Sequence, residues 1–150
     1  MSRERHALHE AGHALVCQVL GLRVYQSSAS DDGGRTLHEA APNDLTRAVV
    51  CWSGAVAESL TGASQSPQSW LRQPDAGELR GLPAHLVNRG LEEAQRIISE
   101  HESEVRALAE HLAADRRLTG RRVRAIIENP DIRPRRQRAS DGVSVAESFA

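Results

Sequence analysis

Two histidines four residues apart, with a glutamate directly after the first, stand near the start of the chain as His9-Glu10-Ala11-Gly12-His13. On a helix, side chains at that spacing share a face with Cβ atoms about 5–6 Å apart, so two ring nitrogens can reach one zinc ion at about 2.0–2.1 Å. Glu10 lies about 100° further round the helix, beside such a metal rather than on it. There a carboxylate can act as general base toward a water whose pKa the metal lowers to about 7. The pattern carries this meaning only if it sits inside a helix.

The flanking residues predict that helix. Ser2 can cap it, and Leu8, Ala11, Leu15, Val19 and Leu22 recur at spacings of three and four, which gives a helix from Arg3 to Leu20 with Gly21 ending it. Gly12 in its interior costs about 1 kcal/mol relative to alanine. Close approach of a neighbouring element at the metal site is a reason to keep it.

Beyond Gly21, Leu22 to Ser30 and Arg35 to Ala40 read as two short strands around Asp31-Asp32-Gly33-Gly34. Pro42-Asn43-Asp44 opens a second helix that carries Leu45, Val49, Trp52, Val56 and Leu60 on one face and ends near Gly62, with Gly54, Ala55 and Ala57 leaving room for another helix. Thr61 to Pro74 reads as an ordered loop in which Trp70 and Leu71 are the large apolar residues. A helix starting at Asp75 is expected to break near Gly81 and Pro83 and again near Gly90. A long helix from Leu91 to Ala114 should follow, with Ile98, Val105, Leu108 and Leu112 inward, then a short one capped by Thr119 and running through Ile127.

Composition agrees with a mainly α fold carrying one small β-hairpin. Aromatic residues make up 3% of the 150, so the core must rest on Leu, Val, Ile and Ala, which suits packed helices better than a sandwich of sheets. One domain is expected over residues 1–128, followed by a flexible Arg-rich tail over 129–150. Cys17 and Cys51 are too few for a disulfide framework and read as buried free thiols. All 19 basic residues are arginine, which excludes a phosphate-cradling Walker loop, since that motif needs its lysine. No apolar run approaches the roughly 20 residues that span a bilayer, and Met1 to His6 lacks the order of a signal peptide, so no membrane partner is expected and the cytoplasm is the expected place. Seven arginines between Arg121 and Arg138 face Glu128 and Asp131. With a net charge of -1 and no nucleic-acid motif, they read as a solvated helix end and tail rather than a nucleic-acid surface.

His9-Glu10-Ala11-Gly12-His13-Ala14 resembles the opening of the peptidase domain of FtsH-type ATP-dependent zinc metalloproteases. Ser53-Gly54-Ala55-Val56-Ala57-Glu58-Ser59-Leu60 resembles that family's small-residue helix with its Ala-Glu pair, and Leu118-Thr119-Gly120 its closing segment. Order and spacing agree from Leu8 to Glu128. The resemblance implies a helical zinc-peptidase fold and a third zinc ligand at the start of the helix after the loop, which corresponds to Asp75. The family's Asn-Asp pair is here Pro74-Asp75, and Glu78 is a rival ligand. Glu58 is implied to support a ligand, although a downstream Glu ligates directly in some zinc peptidases. His38, in the second strand, is implied to sit where an extended substrate adds to the sheet edge. His6, His85, His101 and His111 lack ligand spacing and read as surface or half-buried residues.

The expected function is therefore a zinc metallopeptidase hydrolysing peptide bonds in unfolded or loosely structured protein, with Glu10 as general base. The family couples this to an ATPase ring, which this sequence lacks, so the domain either acts alone on accessible segments or works with a separate ATPase or unfolding partner. The alternative is a non-catalytic, zinc-stabilised peptide-binding or adaptor module. A structural staple has no use for a carboxylate beside the first ligand, and Glu10 therefore favours the enzyme.

Overall fold

The computed structural model describes residues 2–62 and 74–134, with the side chains of 74–76 excepted. Trp70 and Leu71 lie outside these residues, as does the Arg-rich stretch from residue 135. Helix α1 (Arg3–Val19) is the centre of the fold. It is followed by β1 (Val24–Ala29), β2 (Gly34–His38) and α2 (Asp44–Glu58). A 3-10 turn (Ser59–Thr61) and a 3-10 helix (Pro74–Leu79) come next, then α3 (Ala84–Glu100), α4 (Glu102–Asp115), β3 (Arg117–Thr119) and α5 (Gly120–Glu128). The protein is mainly helical, with one three-stranded antiparallel sheet in the order β2-β1-β3. No described helix is long and apolar enough to cross a membrane.

Local chemistry sets the helix ends. Ser2 Oγ accepts from the Arg5 N–H at 3.3 Å, Asn43 Oδ1 from the Thr46 N–H at 2.8 Å, and Thr119 Oγ1 from the Arg122 N–H at 3.1 Å, each satisfying a donor that the first turn leaves open. After α1, Gly21 adopts φ 78° and the Leu22 N–H returns to the Cys17 carbonyl at 2.8 Å, which turns the chain into β1.

Four differences from the sequence reading have physical causes. The strand β3 was not foreseen, because three residues are too few to show a period; they pair with Gln26, Ser27 and Ser28 of β1. Helix α3 runs straight through Gly90, where a Cβ would lie 2.6 Å from that of Ala48; this glycine permits close packing on α2 instead of breaking the helix. The long helix expected from Leu91 to Ala114 is divided at His101 (φ -122°, ψ 30°) between α3 and α4. Val19, expected inward, is exposed, while α1 buries nearly every side chain from Ala7 to Cys17, because the sheet, α2 and α4 surround it. Ile98, Val105, Leu108 and Leu112 do form the core, each at 1% exposure or less.

Packing also continues past the expected domain boundary. His111, read as a surface or half-buried residue, is fully buried on α4, and its Nε2 donates to the Ile132 carbonyl at 2.7 Å, tying the segment after α5 to the core; Pro134 is buried as well. The other ring nitrogen, Nδ1, has no hydrogen-bond partner among the described residues and stands 4.0 Å from Asp115 Oδ2. Burial pushes the His111 pKa below its ordinary value, and the hydrogen bond to Ile132, which works the other way, does not cancel it. The folded state thus holds the ring neutral, and the unfolded chain takes up a proton first, near pH 6.5. This contribution to stability is whole above that pH and declines as pH falls toward the depressed folded-state value. We expect chelator-treated protein to lose more melting temperature between about pH 7.5 and 5.5 than its His111→Gln variant, which keeps a donor but cannot titrate; equal losses would refute this role.

Candidate metal centre

Helices α1 and α2 cross where each offers a glycine. A Cβ on Gly12 would lie 2.5 Å from the Ser53 carbonyl oxygen, so the α1 backbone rests directly on α2. At the next residue of α2, a Cβ on Gly54 would come within 2.4 Å of His9 Nε2 and 2.7 Å of His13 Nε2. The close approach read from Gly12 and the room read from Gly54 are two halves of one contact, and the two imidazoles are seated in it.

Both rings are held by their Nδ1 atoms. His13 Nδ1 lies 2.9 Å from the Val50 carbonyl and 3.0 Å from Ser53 Oγ, whose own proton goes to that carbonyl at 2.6 Å. His9 Nδ1 lies 3.2 Å from Glu58 Oε2, and Arg5 Nε donates to Glu58 Oε1 at 2.8 Å. Acceptors at both Nδ1 positions make both of them donors, which in the neutral rings leaves a lone pair on each Nε2. These two Nε2 atoms face one another at 3.1 Å. Two ligands about 2.0–2.1 Å from a tetrahedral zinc stand about 3.3 Å apart, so the pair fits one such ion without rearrangement. Glu58 bonds the nitrogen of His9 that points away from His13 and thus orients the ring from behind. Burial works to raise the Glu58 pKa, but the hydrogen bonds from His9 and Arg5, together with the Arg5 charge, outweigh it and hold the carboxyl below the usual carboxylate range.

Glu10 is governed by the sheet. Thr36 Oγ1 donates to Glu10 Oε1 at 2.7 Å and in turn receives Ser27 Oγ at 2.8 Å. Gly34 clears the path, since a Cβ there would lie 2.5 Å from Glu10 Cγ. Neither Thr36 nor Ser27 stood out in the sequence, because strand pairing and not spacing brings them over α1. Arg5 was legible in principle, one turn before His9 on the same face.

Glu10 and His13 open into a cleft of about 220 Å³ with Gly34, Arg35, Thr36, His38, Val50, Cys51 and Glu78 in its wall. A second lobe of about 370 Å³ shares His38, Val50 and Glu78 and adds Ala40, Ala41 and Arg47. His38 thus lies at the junction of the lobes, its Nδ1 donating to the Glu39 carbonyl at 2.8 Å. Glu78 accepts from Cys51 Sγ at 3.3 Å. Cys17 and Cys51 are both buried and outside any disulfide, but they differ: burial pushes Cys17 up to about 12, an inert core group, whereas Cys51 is part of the cleft wall. The backbone of Asp75 belongs to the 3-10 helix Pro74–Leu79 beside α2, and its side chain lies outside the described residues. Among the described residues no three His, Cys, Asp or Glu side chains form a metal-holding group.

Set against models of known protein families the chain matches none, and no curated protein is significantly similar to it.

Because Glu58 fixes the tautomer and orientation of His9 from a buried position, we expect Glu58→Gln to weaken zinc binding about 10–100-fold in chelator competition. Gly54→Ala should abolish binding by filling the space before both Nε2 atoms. Unchanged zinc affinity in both variants would show that the paired nitrogens are not a metal site.

Proposed function

We propose that the chain is a zinc-dependent peptidase domain with an FtsH-like fold, cleaving peptide bonds in unfolded or loosely structured protein. His9 and His13 hold the zinc with Asp75 as third ligand, and Glu10 is the general base. The observation that carries this reading is the pair of Nε2 lone pairs meeting at 3.1 Å with a carboxylate from the same helix turned into the adjoining cleft. Zinc bound there would lower the pKa of a water to about 7 and polarise the scissile carbonyl.

The remaining steps belong to the chain's own residues. Glu10 takes the proton of the attacking water and delivers it to the leaving amine. Thr36, anchored by Ser27, holds one carboxylate oxygen and leaves the other for that proton. The β2 strand is at the edge of the sheet and borders the cleft, so an extended substrate can add to it as a further strand, with His38 beside the entering chain. A cleft this narrow takes a few residues of extended chain and no folded domain, so folded substrates would need a separate unfolding partner.

The deciding experiment compares the chain with Glu10→Gln, measuring zinc by mass spectrometry and cleavage of unfolded fluorescent casein. We expect one zinc per chain in both and cleavage in the unaltered chain alone. One zinc with cleavage in neither would favour a non-catalytic, zinc-stabilised peptide-binding module. A finer test concerns Thr36: Thr36→Val should lower kcat about tenfold with zinc content and KM unchanged, since the base is misplaced but substrate contacts remain. Thr36→Ser should restore it, and full activity in the valine variant would remove Thr36 from the mechanism.

A further inference from the structure

The face of the sheet turned away from α1 carries charge that the proposed chemistry does not use. Ser27 and Thr36 point to α1 and Glu10, so by alternation Ser28, Arg35 and Arg117 lie on the opposite face. They form one cross-strand row, with Arg35 and Arg117 each opposite Ser28. Strand spacing puts the two arginines about 10 Å apart with only a serine between them. None of the residues in the three strands is acidic.

Two neighbouring features extend the row. Arg116 holds the left-handed C-cap of α4 at φ 67°, the one positive φ outside glycine among the described residues, at a position glycine would take without strain. Toward the other end of β1, the Arg23 guanidinium lies 6.0 Å from the ring centre of Tyr25, which is 54% exposed. Arg23, Arg35, Arg116 and Arg117 are all exposed, and none of their guanidinium groups forms an ion pair with a described residue, the Glu39 carboxylate at the Arg23 end accepting from the Arg23 backbone N–H at 3.1 Å, whereas Arg5, Arg47, Arg96 and Arg106 each have a carboxylate partner.

We propose that this face docks an acidic segment of the polypeptide whose adjoining residues enter the cleft, an inference that rests on the peptidase reading and names its substrate class. Strand β2 joins the two regions, since Arg35 belongs both to the basic row and to the wall of the cleft beside Glu10 and His13. A polypeptide leaving the cleft along β2 passes onto the face, and its carboxylates supply the missing counter-charges. This continuity favours polypeptide over nucleic acid.

The test uses two fluorescein-labelled unstructured peptides of the same sequence, one carrying a Glu-rich half and the other Gln at those positions. Their binding is measured by anisotropy on zinc-loaded Glu10→Gln protein, which removes turnover. The Glu-rich peptide should bind about tenfold tighter at low salt, with the advantage shrinking as salt rises. Adding Arg116→Gly and Arg117→Gln should abolish the preference, and the glycine at the left-handed position guards against misfolding. In the chain with Glu10 intact, the same two changes should raise KM for the Glu-rich peptide about tenfold and leave kcat unchanged. Arg-dependent binding of the Glu-rich peptide without cleavage of either peptide would support the docking face while removing the peptidase reading. Equal binding of the two peptides, a preference that survives the arginine changes, or an oligothymidylate that binds this face more tightly than the Glu-rich peptide would overturn the proposal.

Discussion

The contact on which the rest of this structure depends is the backbone crossing of α1 and α2. Side chains are absent at Gly12 and Gly54, and the α2 atoms nearest Gly12 are the Ser53 carbonyl and the Cβ of Ala57, so the helices come closer than larger residues would permit. That closeness puts the Val50 carbonyl and Ser53 within hydrogen-bonding distance of His13, and Glu58 within reach of His9. Wider separation would leave both rings free to rotate and their tautomers undetermined. The glycine in the interior of each helix lowers helix propensity by about 1 kcal/mol. Packing along the rest of both helices offsets this, since Ala7 to Cys17 and Ala48 to Glu58 are buried almost without interruption.

A buried polar cluster in a helical core is an expensive way to gain stability. Apolar residues of similar volume often do as well or better than a buried ion pair. Glu58 is 2% exposed, with one oxygen on Arg5 and the other on His9. His13 donates into a carbonyl of α2 that Ser53 also uses. These groups do not merely satisfy one another: they place acceptors at both Nδ1 atoms, so that each neutral ring has its proton there and turns its Nε2 toward the other. A cluster selected for stability alone has no reason to bring two lone pairs together at 3.1 Å. The zinc ion proposed to bind between them would give the arrangement a purpose.

Much of this was legible before the structure, and the parts that were not share a cause. Caps at Ser2 and Thr119, the helix holding His9 and His13, the hairpin and the apolar face of α2 follow from signals local in sequence, which carry over because short-range spacing is itself geometry. Gly90 was misread because a glycine that breaks a helix and one that permits close packing look alike until the neighbour is known, and here the neighbour is Ala48. His111 reads as surface or half-buried because nothing within a few residues of it forecasts a carbonyl partner at Ile132. Thr36 and Ser27 are the instructive omission, since hydroxyls in a short strand are ordinary and gain a role only through the register that sets them opposite each other.

The two halves of the centre consequently rest on supports of different rigidity. The imidazoles are seated between long, buried helices, whereas the hydroxyl that fixes Glu10 comes from β2, a five-residue edge strand whose pairing within the sheet is to β1 alone. That pairing slips by one residue between Val24 and Gln26, so the register that delivers Thr36 to Glu10 is set over the four pairs from Gln26↔Leu37 to Ala29↔Gly34. Edge strands open more readily than core helices, because fewer buried contacts and more exposed hydrogen bonds hold them. Loosening β2 would free the carboxylate while leaving the paired nitrogens in place. A strand added to its outer edge would do the reverse, since the added hydrogen bonds tie down the element that positions Glu10. The same extended chain that fills the cleft would thus complete the geometry of the base, coupling occupancy to order through the sheet rather than through the helices.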